Sequence, residues 1–287
     1  MLMPFMASAS NARTADVPVS ADVRIHVIDE GPARADRPTL VLLPGWRFSG
    51  SIWSAQIAAF GSDRRVISVD PRSQGQSTKT AEGNTPEQRA QDLHALLARL
   101  NVGRFVLVGW SQGVQDTAAY VERYGTANIE GIVLVDSPIS SGAARIERAP
   151  HAAARQFGRL SAYMNAPRDY TEGMMRAVVV RPLSSAELDQ LVDRALATPT
   201  ATGAAMLVAD LFGVDRRPAL ERMDKPVLIV ASARSAELVD QRDMASRVAD
   251  AEFHAIEDAG HAVFVDQPQQ FNALLGAFLE RIERGAR

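Results

Sequence analysis

The chain has 287 residues, of which 46% are hydrophobic and 23% are charged, an ordinary composition for a globular protein. Its 31 lysine and arginine residues against 34 aspartate and glutamate residues give a net charge of -3. This balance gives no electrostatic reason to expect binding to nucleic acid or to an acidic membrane surface. The absence of cysteine excludes disulfides, thiol nucleophiles and thiolate metal sites, although it does not fix the compartment.

Residues 1–21 are predicted to form a leader ahead of the folded domain. Its first part, "MLMPFMASASNA", is apolar and then small, with Ser10 and Ala12 placed as in a signal-peptide cleavage site, but it lacks a basic n-region. Two interpretations stay open: a disordered leader, or a signal remnant in residues 1–12. The first is compatible with a cytoplasmic protein, and the second with a periplasmic or secreted one. No apolar run approaches the ~18 residues of a transmembrane helix.

Short apolar runs, each bounded by turn residues, recur after the leader and predict strands. They are "VRIHVID" (23–29), "TLVLLPG" (39–45), "RVISVD" (65–70), "RFVLVG" (104–109), "GIVLVD" (131–136), "PVLIVAS" (226–232) and "EFHAIED" (252–258). Most are continuous valine, isoleucine and leucine, which is typical of parallel strands buried on both faces. Helical patterns separate them, so the sequence predicts an α/β fold with a mainly parallel, doubly wound sheet.

One interval interrupts the alternation of strands and helices. Between Ser137 and about Lys225 no good strand pattern occurs, and the stretch predicts four helices at about 142–165, 168–180, 184–197 and 200–213. We interpret residues 138–225 as a helical lid inserted after strand 6, between two strands of one sheet. The core domain would then comprise residues 22–137 and 226–287.

A serine lies at the corner between a predicted strand and a predicted helix. Gly109-Trp110-Ser111-Gln112-Gly113 fits the G-x-S-x-G pattern in the strand–turn–helix context that the pattern requires. The glycines are needed because side chains two residues either side of the serine would collide with neighbouring backbone. The turn holds the hydroxyl at a helix N-terminus, which favours developing negative charge. Ser111 is therefore the candidate nucleophile.

A serine hydroxyl needs a base to remove its proton, and histidine is the usual one. His261 lies in "DAGHAVFVDQP", after the last predicted strand, so it is expected at the same sheet edge as Ser111. The other four histidines fall within strands, a helix or the predicted lid and are interpreted as structural or solvent-facing. His261 is the candidate base.

With these motifs the chain resembles an α/β-hydrolase over residues 22–284, and most closely the small lidded esterases and cofactor-free haloperoxidases. Two further motifs carry the resemblance: "LLPGW" (42–46), and "VDPRSQGQS" (69–77), in which Ser73 replaces a glycine of the family's pattern. The resemblance implies an oxyanion hole made by the backbone N–H groups of Trp46 and Gln112. This resemblance is specific for the fold and the catalytic triad, but it is weak evidence for the substrate.

The acid of the triad departs from the usual pattern. Alignment of "PVLIVAS" places Ser235 where the family normally has its acid, with Glu237 two residues away. Asp136, at the end of the preceding strand in "GIVLVDSP", is the favoured candidate, and Glu237 is the alternative. An acid at the Asp136 position also resembles cofactor-free dioxygenases that cleave hydroxyquinolone rings, and zearalenone-type lactone hydrolases.

The predicted function is hydrolysis of a carboxylic ester or lactone by Ser111, His261 and Asp136 through an acyl-enzyme. A serine nucleophile argues against haloalkane dehalogenases and epoxide hydrolases, which need aspartate there. Three alternatives stay open: a C–C bond hydrolase with the same triad, a cofactor-free dioxygenase that uses the histidine–acid pair as base, and a non-catalytic ligand receptor.

The expected ligand is a small, largely apolar molecule that binds between Ser111 and the lid. No cofactor and no metal are predicted, since there is no cysteine and no histidine pair at ligand spacing. The sequence does not determine the oligomeric state. The candidate pocket walls are Trp46, Phe48, Trp110, Tyr163, Met174, Met206 and Phe212.

Overall fold

A computed structural model describes residues 13–285, which form an eight-stranded sheet. The strands are β1 (Arg13–Pro18), β2 (Arg24–Glu30), β3 (Thr39–Leu43), β4 (Val66–Val69), β5 (Phe105–Trp110), β6 (Ile129–Val135), β7 (Val227–Ser232) and β8 (Ala251–Ile256). Their order is β1-β2-β4-β3-β5-β6-β7-β8. β2 runs antiparallel to β1 and β4, and every other pair is parallel. The predicted mainly parallel sheet is therefore confirmed.

Helices follow most strands and cover both faces of the sheet. They are α1 (Ser54–Phe60), α2 (Pro86–Arg99), α3 (Gln112–Tyr124), α4 (Ala144–Arg148), α5 (Pro150–Asn165), α6 (Pro167–Val178), α7 (Ser185–Leu196), α8 (Thr200–Phe212), α9 (Leu238–Ser246), α10 (Val263–Asp266) and α11 (Pro268–Gly285), with short 3-10 helices at Gly50–Trp53 and Arg217–Arg222. α2 begins at the predicted cap, where Thr85 accepts a hydrogen bond from the Gln88 N–H.

The core consists of two apolar layers, one on each face of the sheet. Alternate residues of β3 point to opposite layers: Val41 and Leu43 to one, and Leu40 and Leu42 to the other. Helices α2 and α3 close the first layer, and α1 and α11 close the second. Because both faces are covered, the central strands need apolar residues at every position, which explains their continuous apolar runs.

The leader prediction is wrong for residues 13–18, which form β1 and pair antiparallel with β2 from Arg13 opposite Asp29 to Pro18 opposite Arg24. Val17 is the buried side chain of this edge strand, and the others are exposed. The strand therefore lacks the apolar pattern that identifies buried strands. The signal-remnant interpretation concerns residues 1–12, which lie outside the described residues.

Residues 138–225 connect β6 to β7 and contain α4 to α8 and the 3-10 helix Arg217–Arg222; we call them the helical insertion. The predicted single helix over 142–165 is wrong, because the chain breaks at Ala149 (φ -144, ψ 64) between α4 and α5. Proline at position 150 causes this break, since it disfavours helical geometry in the residue before it.

No single helix among the described residues has the length and apolar composition to cross a membrane. α7 and α8 together reach that length and composition, but they are bent by 79° at the break between them.

Candidate active site

Ser111 lies at a strained turn between β5 and α3. Its backbone (φ 57, ψ -115) is in a region that residues with a side chain rarely adopt. A Cβ atom on Gly109 would lie 2.3 Å from the Gly113 carbonyl oxygen, and one on Gly113 would lie 2.7 Å from the Leu43 carbonyl oxygen. The turn can therefore form only with glycine at both positions.

The structure brings Ser111, His261 and Asp136 into one hydrogen-bonded chain. His261 lies in the loop between β8 and α10, and its Nε2 is 2.8 Å from the Ser111 Oγ. The other ring nitrogen, Nδ1, is 2.8 Å from Asp136 Oδ2. With Nδ1–H donating to the carboxylate, Nε2 is free to accept the serine proton. The three residues follow parallel strands, so they meet at one edge of the sheet.

Asp136 is held by more than the histidine. It directly follows β6 with φ 44 and is only 3% exposed. Its Oδ1 accepts hydrogen bonds from the Ser232 N–H (2.8 Å) and from Gln241 Nε2 (3.3 Å). These donors occupy one carboxylate oxygen and leave the other for His261.

Glu237, the alternative acid, contacts a different partner. It precedes α9 and its carboxylate pairs with Arg145 of the insertion at 2.8 Å. Ser235, at the usual acid position, accepts a hydrogen bond from Gln241 Nε2 (3.1 Å). Gln241 thus links the side chain at the usual acid position to the carboxylate of Asp136.

The expected oxyanion turn lies against the nucleophile. A Cβ atom on Gly45 would be 3.0 Å from the Ser111 Cβ, so the residues after Leu43 pass directly over the serine. Gln112 is the first residue of α3, where a backbone N–H has no partner within the helix. The Trp46 turn and the start of α3 thus flank Ser111 on two sides.

Trp110 and Phe48, two of the aromatic residues predicted to lie beside the triad, are buried. The Trp110 indole N–H donates to the His261 carbonyl oxygen at 2.9 Å, and its ring is 5.3 Å from the imidazole. Phe48 packs against Trp110 at 4.8 Å. These contacts hold the His261 loop in place.

The other predicted wall residues fall into two groups. Trp46, Tyr163 and Met206 form a buried apolar cluster that joins the insertion to the turn after β3, and Met174 packs against it. Phe212 lies apart and stacks on Phe157 at 4.7 Å. As substrate walls, all of them stay predictions.

Sequence reasoning missed a buried ionic cluster behind the nucleophile. Asp210 of α8 accepts hydrogen bonds from the Gln112 side chain and from Arg89 of α2, which also pairs with Asp116 of α3 at 2.8 Å. Burial, together with the nearby carboxylate of Asp210, raises the pKa of Asp116 to about 7 against the opposing effect of Arg89. No local pattern identifies this cluster, because its members come from separate helices.

Arg47 was missed as well. It follows Trp46 with φ 61, its side chain is fully buried, and it extends into the insertion. An arginine directly after "PGW" is expected to be exposed in a turn, so the sequence did not indicate that Arg47 is buried. Within residues 13–285, no group of three or more histidine, aspartate or glutamate residues is arranged to hold a metal ion.

The mixed sheet, the serine at its elbow and the histidine after β8 are the features of an α/β-hydrolase. Residues 40–274 match the sequence model of the Alpha/beta hydrolase family, and the chain is an enzyme that belongs to this family.

Two named relatives are similar to this chain in sequence along nearly its whole length. 3-Oxoadipate enol-lactonase 2 of Acinetobacter baylyi is 26% identical over 93% of this chain and 97% of its own length. A putative non-heme chloroperoxidase of Synechocystis is 26% identical over 91% of this chain and 96% of its own length. The crystal structure of bromoperoxidase from Bacillus anthracis superposes with a TM-score of 0.83 at 24% identity, covering 93% and 100% of the two chains. At that identity the structural likeness concerns the fold alone.

Proposed function

We propose that the protein is a serine hydrolase that cleaves a carboxylic ester or a lactone. The observation that carries this proposal is the continuous chain of hydrogen bonds from Ser111 through His261 to Asp136, with both contacts at 2.8 Å. Nucleophile, base and orienting acid at this spacing are the arrangement that serine hydrolases use on several unrelated folds.

In the first half-reaction, His261 Nε2 takes the Ser111 proton while Oγ attacks the carbonyl carbon. The carbonyl oxygen becomes an oxyanion, and the backbone N–H groups of Trp46 and Gln112 donate to it. Preorganised donors of this kind contribute about 10² to 10³ each to the rate. Collapse of the intermediate breaks the bond to the alcohol oxygen, which receives its proton from His261, and leaves an acyl-enzyme.

In the second half-reaction, His261 takes a proton from water, and the hydroxide attacks the acyl carbon. The proton then returns to Ser111 Oγ as the acid product leaves. In each step Asp136 accepts a hydrogen bond from His261 Nδ1–H. This hydrogen bond fixes the tautomer of the imidazole and stabilises the imidazolium ion.

Two observations support this activity. The Ser111 hydroxyl is hydrogen-bonded to the base, as nucleophilic attack requires. Full-length relatives include a protein named as an enol-lactonase.

The helical insertion is proposed to act as a lid over Ser111. Trp46 joins it to the oxyanion turn through an indole N–H bond to the Gly203 carbonyl oxygen (2.8 Å). Most of the exposed large apolar side chains in residues 13–285 belong to the insertion, including Phe157 at 51% exposure. An element that leaves apolar surface in solvent gains less from burial and opens more readily than the sheet.

A fluorophosphonate probe tests the nucleophile directly. The wild type should be labelled, Ser111→Ala should not, and the exposed Ser246→Ala should be labelled like the wild type. Turnover would then be measured on p-nitrophenyl esters and lactones, with dissolved oxygen monitored in parallel. Equal labelling of Ser111→Ala, or oxygen uptake without hydrolysis, would overturn the proposal.

A further inference from the structure

Arg47 differs from every other buried arginine among residues 13–285. Four of these arginines are paired with a carboxylate: Arg64 with Glu283 (2.7 Å), Arg72 with Asp92 (2.7 Å), Arg89 with Asp116 (2.8 Å) and Arg216 with Glu87 (2.5 Å). Arg47 is the most deeply buried of the five, at 0% exposure. No carboxylate of the described residues forms an ion pair with it.

The contacts of Arg47 are all neutral. Nη1 donates to the Thr171 Oγ1 at 2.8 Å, and Nη2 has only the weak acceptor Sδ of Met174 at 3.8 Å. The guanidinium carbon lies 4.1 Å from the ring centre of Trp46 and 4.4 Å from that of Tyr163. Nε has no partner. A buried charge without a counter-ion is costly, and aromatic faces compensate only part of that cost.

A second buried donor lies close to Arg47 and also lacks a partner. The Tyr163 hydroxyl has no partner at normal hydrogen-bond geometry among the described residues, and its polar neighbours are Arg47 and Thr200. Burial raises its pKa, so the hydroxyl stays protonated and remains a donor. A Cβ atom on Gly203 would lie 2.5 Å from this hydroxyl and 3.0 Å from Arg47 Cδ, so a side chain there would press against both groups. Two donors with free hydrogen-bonding capacity thus share one small region.

The position of Arg47 connects it to the reacting centre. Gly45 lies against Ser111, Trp46 supplies the expected oxyanion donor, and Arg47 is the next residue. Its guanidinium contacts the indole of Trp46, whose neighbour Gly45 lies against Ser111. A neighbouring cavity of about 200 Å³ is lined by Arg47, Arg181 and Arg194, and by the carboxylate of Glu187, which pairs with Arg181.

Apart from Trp46, the side chains in contact with the guanidinium come from the insertion: Tyr163 from α5, and Thr171 and Met174 from α6. Movement of the insertion would therefore uncover the guanidinium. A planar guanidinium matches a carboxylate with two parallel N–H bonds, which neither Thr171 nor Met174 can provide.

From this geometry we infer that Arg47, assisted by the Tyr163 hydroxyl, binds a carboxylate of the substrate, so that the ester or lactone hydrolysed at Ser111 is itself an anion. The inference rests on the proposed hydrolase function. It names the substrate class that the triad alone leaves open, and it makes Arg47 a specificity determinant.

The test compares two substrates that differ by one charge: mono-p-nitrophenyl adipate, which keeps a free carboxylate, and its methyl ester, which does not. The wild type should have the higher kcat/KM on the anion. Arg47→Met should lower kcat/KM on the anion by about tenfold or more, mainly through KM, because hydrogen bonds between two charged groups are stronger than those between neutral groups. On the methyl ester its loss should be much smaller.

Two further variants separate recognition from packing. Arg47→Lys keeps the charge and should retain part of the preference for the anion. Arg168→Met removes an exposed charge from the same helix as Thr171, and it should leave the substrate ratio unchanged. Calorimetric titration with adipate gives a readout without turnover: the wild type should bind it, and Arg47→Met should bind it more weakly.

The proposal is overturned if the wild type shows no preference for the anion, or if Arg47→Met loses activity equally on both esters while adipate binding is unchanged. If Arg47→Met does not fold, the absence of a preference in the wild type, or an unchanged preference in Arg47→Lys, still overturns the proposal. Labelling of Ser111 by the fluorophosphonate is independent of the carboxylate. Loss of that labelling therefore identifies a failure of the hydrolase function itself.

Discussion

Replacing Asp136 by asparagine should nearly abolish turnover while it preserves the fold. The Ser232 N–H and the Gln241 amide both donate to Oδ1, so the carbonyl oxygen of an asparagine will occupy that position. Its NH₂ group then faces His261 Nδ1 in place of the Oδ2 that is now 2.8 Å away. Nδ1 must become the acceptor, the ring proton moves to Nε2, and the imidazole can no longer take the proton of Ser111.

The magnitude follows from this change of tautomer. An acid-to-amide replacement in a serine triad lowers kcat about 10⁴-fold, which corresponds to about 5.4 kcal/mol in the barrier at 1.36 kcal/mol per tenfold change. Because asparagine has the size of aspartate and meets the same two donors, Tm should change little compared with kcat.

The assay is kcat on one activated ester for the wild type, Asp136→Asn and Glu237→Gln, with Tm and near-UV circular dichroism to establish folding. Glu237→Gln is the matched control. It removes the other candidate carboxylate, whose side chain is 35% exposed and pairs with Arg145 at 2.8 Å, and it should cost less than about tenfold in kcat. An active Asp136→Asn together with an inactive Glu237→Gln would refute the assignment.

Three other predictions concern the elbow, the buried ionic cluster and the insertion. Gly109→Ala should lower Tm, because its Cβ would lie 2.3 Å from a carbonyl oxygen, whereas Gly103→Ala meets nothing within 4 Å and should be neutral; equal effects would contradict the steric argument. The folded-state pKa of Asp116 is raised to about 7, above the ~3.9 of an unfolded chain, so its contribution to stability is present at acid pH and is lost as the pH rises toward 7. The Tm of the wild type relative to Asp116→Asn should therefore fall between about pH 4 and about pH 7, and a constant difference would count against the raised pKa. In native-state hydrogen exchange, amides of residues 138–225 should exchange faster than those of the central strands, and equal protection would exclude a lid.

The sequence by itself determined the sheet and the corner that carries the nucleophile. Central strands are covered on both faces, so their apolar character is continuous and visible in one dimension. The elbow is equally local, because its steric demands fall on residues only two positions from Ser111. His261 could be assigned to the same sheet edge because it directly follows a strand of a parallel sheet.

Elements without a local signal escaped this reasoning. β1 is an edge strand whose side chains, apart from Val17, face solvent, so it carries no apolar alternation. The break between α4 and α5 depends on Pro150, whose effect on Ala149 was overlooked within an otherwise helical pattern.

Only the tertiary structure decided how the side chains of distant segments are paired. Asp136 follows β6 and Glu237 lies in the segment after β7, so the sequence allows either carboxylate to reach His261. In the structure Asp136 lies 2.8 Å from the imidazole, whereas Glu237 pairs with Arg145. The lack of a counter-ion at Arg47 is a property of the whole folded chain, since it depends on where the carboxylates of other segments lie. Local patterns encode which face of an element is buried, whereas the partner of a buried charge is set by contacts between segments far apart in sequence.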